Sequence, residues 1–432
     1  MRYKKITPDN SVFVILSFEG PDLYSQAGGL GFRVTELSEA LAKKGFETHV
    51  IFVGDPYKPA VETLNQKRLI LHRWSQWISK YYPLGVYQGE EEKLYDYNES
   101  VPYFVLDEIA RPAVKEKKKL VVLAEEWHTA ECVMRLSDLL HYFGLRDKAV
   151  IFWNANHTMS FDRINWGRLA FVATLTTVSR FMKHYMWDMG LNPIVIPNGV
   201  PDRMFQGVDR EKVARFREVF ESDFLLLKVG RMDPNKRWNM AMDAVAELKR
   251  RGSKVNFLIR PGREPYGGEV IYNAERNGLY VYNLNLSKPT FEELLEALQE
   301  ARDADVLTLN FVVEDEYLRI FYYGCDAVLA NSGMEPFGLV GLEVMACGGV
   351  VFTGCTGEEY AIPYQNAIVL ETADPVEIVN NLYYLKSEPA VGQKIRREAK
   401  IAAKRYAWGQ VVDNLLRKIE YAAIMQKSDM GD

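Results

Sequence analysis

Val12-Phe13-Val14-Ile15-Leu16-Ser17, then Gly28-Gly29-Leu30-Gly31, then Val34, Leu37 and Leu41 at helical spacing, then Thr48–Val53: strand, glycine loop, helix and strand follow in succession. A short, unbroken apolar run reads as a strand buried on both faces, and a longer amphipathic stretch as the helix that crosses over to the next strand. The alternation continues to the C-terminus. Expected strands in the first half are Val12–Ser17, Thr48–Val53, Val101–Val105, Leu120–Ala124, Val150–Trp153, Thr174–Val178 and Pro193–Ile196. A second series comprises Phe224–Val229, Val255–Arg260, Leu279–Leu284, Ala327–Ala330, Val350–Phe352 and Ala367–Leu370. The class is therefore α/β, with two doubly wound, Rossmann-like units whose ligands bind beyond the carboxyl ends of the strands. The break is expected near residues 198–222, where Pro197-Asn198-Gly199-Val200-Pro201 is a turn signal and the charged stretch 209–223 precedes the second series. This gives domains at 1–200 and 201–405.

Size agrees with two cores, since 432 residues exceed what one hydrophobic core supports and divide into units of about 200 each. An apolar fraction of 48% and a charged fraction of 26% are those of an ordinary globular chain. No apolar run approaches the roughly 20 residues of a membrane-spanning helix, and Val12–Leu16 has no cleavage site after it. Cys132, Cys325, Cys347 and Cys355 form no C-x-x-C pair, so a cytoplasmic enzyme without a zinc knuckle is expected. The net charge of −5 gives no global basic field for nucleic acid. Residues 56–119 depart from the alternating pattern and hold Trp74, Trp77, Tyr81, Tyr82, Tyr87, Tyr95 and Tyr97. An acceptor-sugar platform, a packed insertion and a subunit contact all remain open for them. The runs Glu90-Glu91-Glu92 and Lys117-Lys118-Lys119 read as solvated faces.

Four local patterns bear on chemistry. Glu335-Pro336-Phe337-Gly338-Leu339-Val340-Gly341-Leu342-Glu343 sets two carboxylates eight positions apart across a turn that opens an apolar helix. A helix start offers unsatisfied N–H groups and partial positive charge, a seat for a phosphate or a sugar oxygen. Gly230-Arg231-Met232-Asp233-Pro234-Asn235-Lys236-Arg237 follows the opening strand of the second series and pairs a planar guanidinium with a compact ammonium, a combination suited to a diphosphate. Gly28-Gly29-Leu30-Gly31 suits close approach of backbone to a ligand; a dinucleotide site and a structural turn are its rivals. The dinucleotide fingerprint lacks its third glycine, replaced by Val34, and ten residues separate Ser17 from Gly28. His157 follows the strand Val150–Trp153 at the same sheet edge, and His128 follows Leu120–Ala124, there as either a structural or a reacting group.

Taken together, these stretches resemble the retaining nucleotide-sugar glycosyltransferases of the GT-B fold, in particular the group of glycogen and starch synthases and sucrose-phosphate synthase. Gly28-Gly29-Leu30-Gly31 is similar to that family's glycine loop, and Glu126-Trp127-His128-Thr129-Ala130 to its Asp-Trp-His-Thr-Ala segment. Asn156-His157 is similar to the end of the strand bearing the active-site histidine, and Val195-Ile196-Pro197-Asn198-Gly199-Val200 to the interdomain segment. Gly230-Arg231 with Lys236, and Glu335 with Glu343, resemble the Gly-Arg…Lys and E-x7-E elements. Gln26 stands where glycogen synthases carry a lysine, which removes one charge from the loop.

The resemblance implies two Rossmann-like domains facing a central cleft, with the last helix, around Trp408 to Met425 within 406–432, packed back on the N-terminal, acceptor-side domain. It implies that Arg231 and Lys236 bind the donor's diphosphate, that Glu343 holds the ribose and that Glu335 lies near the donor sugar. Gly338 and Leu339 would offer N–H groups, Gly28 and Gly29 would approach the donor, His157 would bond a sugar hydroxyl, and Thr356 and Gly357 would line the same site. The implied activity is retaining transfer of a hexose, glucose first, from a nucleoside-diphosphate sugar to a sugar or sugar-like acceptor, with no cofactor and no metal. A silent sugar- or nucleotide-binding protein and a nucleotide-sugar epimerase of the same fold are the alternatives, and an oligomer remains open.

Overall fold

The computed structural model describes residues 5–262, 264–354 and 357–427. Fifteen strands appear among them. In the first half these are β1 (Ser11–Leu16), β2 (Glu47–Val53), β3 (Val61–Leu64), β4 (Leu69–Trp74), β5 (Lys119–Glu125), β6 (Ala149–Ala155), β7 (Thr174–Thr177) and β8 (Ile194–Val195). In the second half they are β9 (Phe224–Gly230), β10 (Val255–Pro261), β11 (Val281–Leu284), β12 (Val306–Leu309), β13 (Ala327–Ala330), β14 (Val351–Thr353) and β15 (Ile368–Val369). The chain divides into a first unit, residues 1–199 with 408–432, and a second, residues 200–407.

The first unit carries one sheet in the order β3-β4-β2-β1-β5-β6-β7-β8, parallel except for the β3–β4 pair. β1 lies at its centre with Val14 level with His49 and Val122, and all six of its residues are buried. The Gly29–Lys43 helix packs Leu30, Val34, Leu37 and Leu41 into the core beside this sheet. The Trp408–Met425 helix adds Val411, Val412, Leu415 and Ile419 to that core at three- and four-residue spacing. Residues 428–432 lie outside the described residues.

In the second unit the sheet order is β11-β12-β10-β9-β13-β14-β15, with every pair parallel. Its first strand, β9, is again central. The order reverses between β9 and β13, which puts their carboxyl ends at the place where such sheets bind ligands. Among the described residues no helix is long and apolar enough to cross a membrane.

Three sequence expectations change here. Val101–Val105 is not a strand: it ends the Glu90–Phe104 helix and begins a π-helical turn, Val105–Ala110. The reason is visible in the packing, because Leu94, Tyr97, Val101, Val105 and Ile109 are buried at three- and four-residue spacing, and a five-residue apolar run cannot itself distinguish the two periods. β3, β4 and β12 were not anticipated; β12 is only four residues long and follows a charged stretch. The charge runs are not simply solvated, since Lys119 is buried and Glu90 accepts from His128 Nε2 at 2.7 Å.

The chain passes between units at Gly199–Val200 and again at Ala407–Trp408. Val200 N–H donates to Tyr406 O at 2.7 Å, so the two crossings run side by side. A Cβ on Gly199 would fall inside the indole of the buried Trp408. Gly199→Ala is therefore expected to destabilise the first unit by about 1–3 kcal/mol, read as a lowered denaturant midpoint; an unchanged midpoint would mean that the indole yields freely.

Candidate active site

In the second unit, the loop after β9 and the turn after β13 are stitched together. Gly333 N–H donates to Asn235 O at 2.7 Å, and Asn331 Nδ2 donates to Arg237 O at 3.3 Å. The Lys236 ammonium donates to Glu335 Oε1, closing the ion pair. Both side chains are about a quarter exposed, at 22% and 24%. Burial drives the Glu335 carboxyl up, but Lys236, a hydrogen bond from Ser332 and the charge of Lys228 outweigh it and leave the group below its ordinary value. Arg231 is different: its guanidinium is exposed and has no ion pair among the described residues, while its carbonyl is fixed by the buried Trp238 indole N–H at 2.8 Å.

Behind this pair stands Lys228, a buried lysine that the sequence reading did not single out. Its ammonium donates to Leu329 O at 3.0 Å and to Asn331 Oδ1, and its Nζ lies 5.0 Å from the Trp238 ring centroid. Burial and the neighbouring Lys236 hold its pKa well below that of an ordinary lysine, with Glu335 opposing. A single lysine inside an apolar strand carries no local signature of such a place.

Gly338 follows the acidic turn with φ of +79°, a conformation that favours glycine, and caps the Leu339–Cys347 helix, whose first N–H groups make no side-chain hydrogen bond among the described residues. The Tyr360 hydroxyl donates to Gly338 O, and Tyr360 N–H donates to Gly357 O at 3.1 Å. Gly357 is thereby linked to the helix start, whereas Thr356 lies outside the described residues. Glu343, on the second turn of the helix, accepts from the buried Tyr322 hydroxyl at 3.1 Å. Among the described residues no group of three or more His, Cys, Asp or Glu side chains could hold a metal ion.

The first unit gathers its candidates at the carboxyl ends of β1, β5 and β6. The glycine loop does not leave all its N–H groups open: Glu19 Oε2 accepts from Ala27, Gly28 and Gly31 at 3.2, 3.1 and 3.0 Å. Gly28 thus spends its donor internally. Gly29 remains exposed with open space about it. The other oxygen of Glu19 accepts from the Tyr87 hydroxyl at 2.5 Å, which brings part of the unplaced segment 56–119 to the loop. Glu19 has no sequence signal beyond its position, and its contact with Tyr87, one of the aromatic residues of that segment, spans 68 residues.

His157 is 38% exposed and is set by Glu126. Glu126 is fully buried, and its Oε1 accepts the N–H groups of Asn156 and His157 at 2.5 and 3.2 Å. His157 Nδ1 accepts from Met159 N–H at 3.2 Å, so a neutral imidazole carries its proton on Nε2, which lies 3.4 Å from Glu126 Oε2. That approach is longer than an ordinary hydrogen bond. Glu126 itself has φ of +68° and ψ of 167°, a region nearly confined to glycine and costing on the order of 1–3 kcal/mol. The indole of Trp153 pins it by donating to its carbonyl at 3.0 Å. His128 does not share this site chemistry, being buried against Phe18 and Trp127 and bonded to Glu90.

Burial pushes the Glu126 carboxyl up to about 8; the backbone N–H groups oppose this, and the charge of Glu125 adds to it. Between its ordinary value of 4.5 and about 8 the folded state therefore binds more protons than the unfolded, and stability falls as pH rises through that window. Glu126→Gln, a neutral group that still accepts both N–H bonds, should gain melting temperature relative to the parent as pH goes from 5 to 8. A gap that does not change with pH would remove the buried proton from this account.

Comparison with known proteins follows the same division. Residues 209–405 match the family model described as Glycosyl transferases group 1. The D-inositol 3-phosphate glycosyltransferase of Pseudarthrobacter chlorophenolicus is 25% identical over 400 residues, 89% of this chain and 88% of that protein. The mannosylfructose-phosphate synthase of Agrobacterium fabrum is 25% identical over 243 residues, so the aligned region spans 55% of this chain and half of that one. Among solved structures, sucrose-phosphate synthase from Thermosynechococcus elongatus superposes with a TM-score of 0.67 at 18% identity, covering 96% of this chain and all of that one. The catalytic domain of starch synthase IV from Arabidopsis thaliana, bound to ADP and acarbose, gives 0.68 at 16%, covering 97% and 100%. Anabaena HepE in complex with UDP-glucose gives 0.64 at 15%, covering 95% and 99%. At these identities the structural likeness is one of fold. Residues 209–405 are a group 1 glycosyl transferase domain, and the chain as a whole has the fold of the GT-B glycosyltransferases.

Proposed function

We propose that the chain moves a hexose, glucose first, from a nucleoside-diphosphate sugar to a sugar or sugar-like acceptor, with retention of configuration. The second unit takes the donor and the first the acceptor side. One observation carries this reading: the Lys236–Glu335 pair stands beside a helix start that no side chain caps among the described residues, with the exposed Arg231 guanidinium on the same loop as Lys236. Cleavage of a glycosyl–phosphate bond develops positive charge on the sugar ring and negative charge on the departing diphosphate. Fixed cations are most useful at the leaving group. A diphosphate offers Lys236 more negative charge than one carboxylate, and in taking that ammonium it would free Glu335 for the sugar. Arg231 and Lys236 then meet the leaving charge, the N–H groups after Gly338 add to it, and Glu343 takes the ribose. That the Pseudarthrobacter chlorophenolicus relative is a D-inositol 3-phosphate glycosyltransferase, and that HepE and starch synthase IV are bound to UDP-glucose and to ADP, supports a nucleotide-sugar donor and a polyol acceptor. Retention rests on the family resemblance.

Lys236→Ala should lower kcat/KM for the nucleotide sugar by about 10²–10³. Because it also strands the Glu335 carboxylate, the double variant Lys236→Ala/Glu335→Gln serves to separate lost chemistry from lost folding, and full turnover by either would end the assignment. In thermal-shift measurements with UDP-, ADP- and GDP-sugars, the true donor at 100 times its Kd should stabilise the chain by about 2.7 kcal/mol. No response to any of them would count against a nucleotide-sugar donor.

A further inference from the structure

The second unit holds a groove of about 530 Å³ that shares no residue with the site above. Arg210, Arg396, Arg397, Lys400 and Lys404 line it, together with Tyr323 and the Cys347–Gly348 end of the Leu339–Cys347 helix, and no carboxylate does. The chain as a whole is acidic, at −5, so this gathering of cations does not follow from composition. Arg397 has a partner in Glu398 at 3.1 Å. Arg210, Lys400 and Lys404 have no ion pair among the described residues.

Two of the guanidinium groups are held in place by the fold. Arg396 donates to Tyr323 O at 2.8 Å, Gly348 O at 3.2 Å and Cys325 O at 3.0 Å, so its orientation is fixed by three carbonyls and by no acid. Those bonds also cover the carbonyl after the helix C-terminus, which would otherwise oppose an anion. The Arg210 and Arg396 guanidinium carbons lie 4.1 and 5.1 Å from the Tyr323 ring centroid, within cation–π range. Like charges gathered without counter-ions repel one another, and an anion converts that cost into attraction. Oriented forks and flexible ammonium groups together match phosphate oxygens, and the volume is that of a small-ligand pocket.

We propose that this groove is a second anion site of the chain, separate from the donor site, which takes a phosphate-bearing ligand. A soluble phosphorylated compound and an anionic lipid headgroup share the required chemistry.

The test uses the full chain and two probes, inorganic pyrophosphate in calorimetric titration and phosphatidylcholine vesicles with and without phosphatidylglycerol in co-sedimentation. Lys236→Ala removes the donor-site ammonium from every comparison. On that background pyrophosphate should still bind, and Lys400→Gln/Lys404→Gln should weaken it by about tenfold or more, whereas Lys394→Gln, on the same helix but outside the groove, should not. Loss of binding to phosphatidylglycerol vesicles alone, by the same double variant, would support the site and identify a headgroup as its source. Should the double variant melt early, Arg210→Gln supplies the same comparison from another element. The proposal falls if the Lys236→Ala chain binds neither probe, or if the groove variants bind both as well as their background does. Such a failure would leave the donor assignment standing, since no residue of the groove belongs to the donor site.

Discussion

An ammonium and a carboxylate that are 99 residues apart in the chain determine the arrangement of the second unit's site. Lys236 and Glu335 meet because β9 and β13 are neighbours in a parallel sheet, so the loops leaving their carboxyl ends must lie side by side. The pair is costly to bury and is kept by geometry rather than by net attraction alone. Asn331 joins it to the sheet, accepting from Lys228 and donating to Arg237 O, while the Gly333–Asn235 bond sets the spacing of the two loops. The Tyr360 hydroxyl then donates to the carbonyl of Gly338, where the helix begins.

The first unit solves a different electrostatic problem. Glu19, Glu125 and Glu126 are all buried at the ends of neighbouring strands, and each is satisfied in its own way. Glu19 is held by three backbone N–H groups and a phenol. Glu125 takes the Arg33 guanidinium at 3.0 Å and the amides of Asn154 and Asn156 at 2.8 and 2.9 Å. Arg33 in turn donates to Asn198 Oδ1 at 2.7 Å, which fixes the segment just before the first crossing. Glu126 receives no cation of this strength, and the charge of Glu125 beside it is one reason that it keeps a proton. His157 therefore faces a neutral acid across much of the ordinary pH range.

Much of this arrangement was legible from local pattern. Apolar runs of four to seven residues separated by amphipathic stretches marked most of the parallel strands, and the loops after β9 and β13 drew attention because their charges fall at strand ends. At Val101–Val105 the pattern misled because so short a run cannot separate a period of two from one of 3.6, and β12 follows a charged stretch that hides it. Lys228 and Glu19 were missed for another reason, since a buried ionisable side chain is defined by what surrounds it and not by its neighbours in sequence.

By itself, then, the sequence determined the α/β class, the two series of strands and the residue types at the strand ends, because these follow from spacing along one chain. Only the tertiary structure decided which charges meet. The glycine loop turns its N–H groups on Glu19, Lys236 finds Glu335, and a set of cations in an acidic chain is left facing an acid-free groove. Such pairings depend on sheet order and side-chain direction, which bring together residues tens of positions apart and which no local spacing encodes.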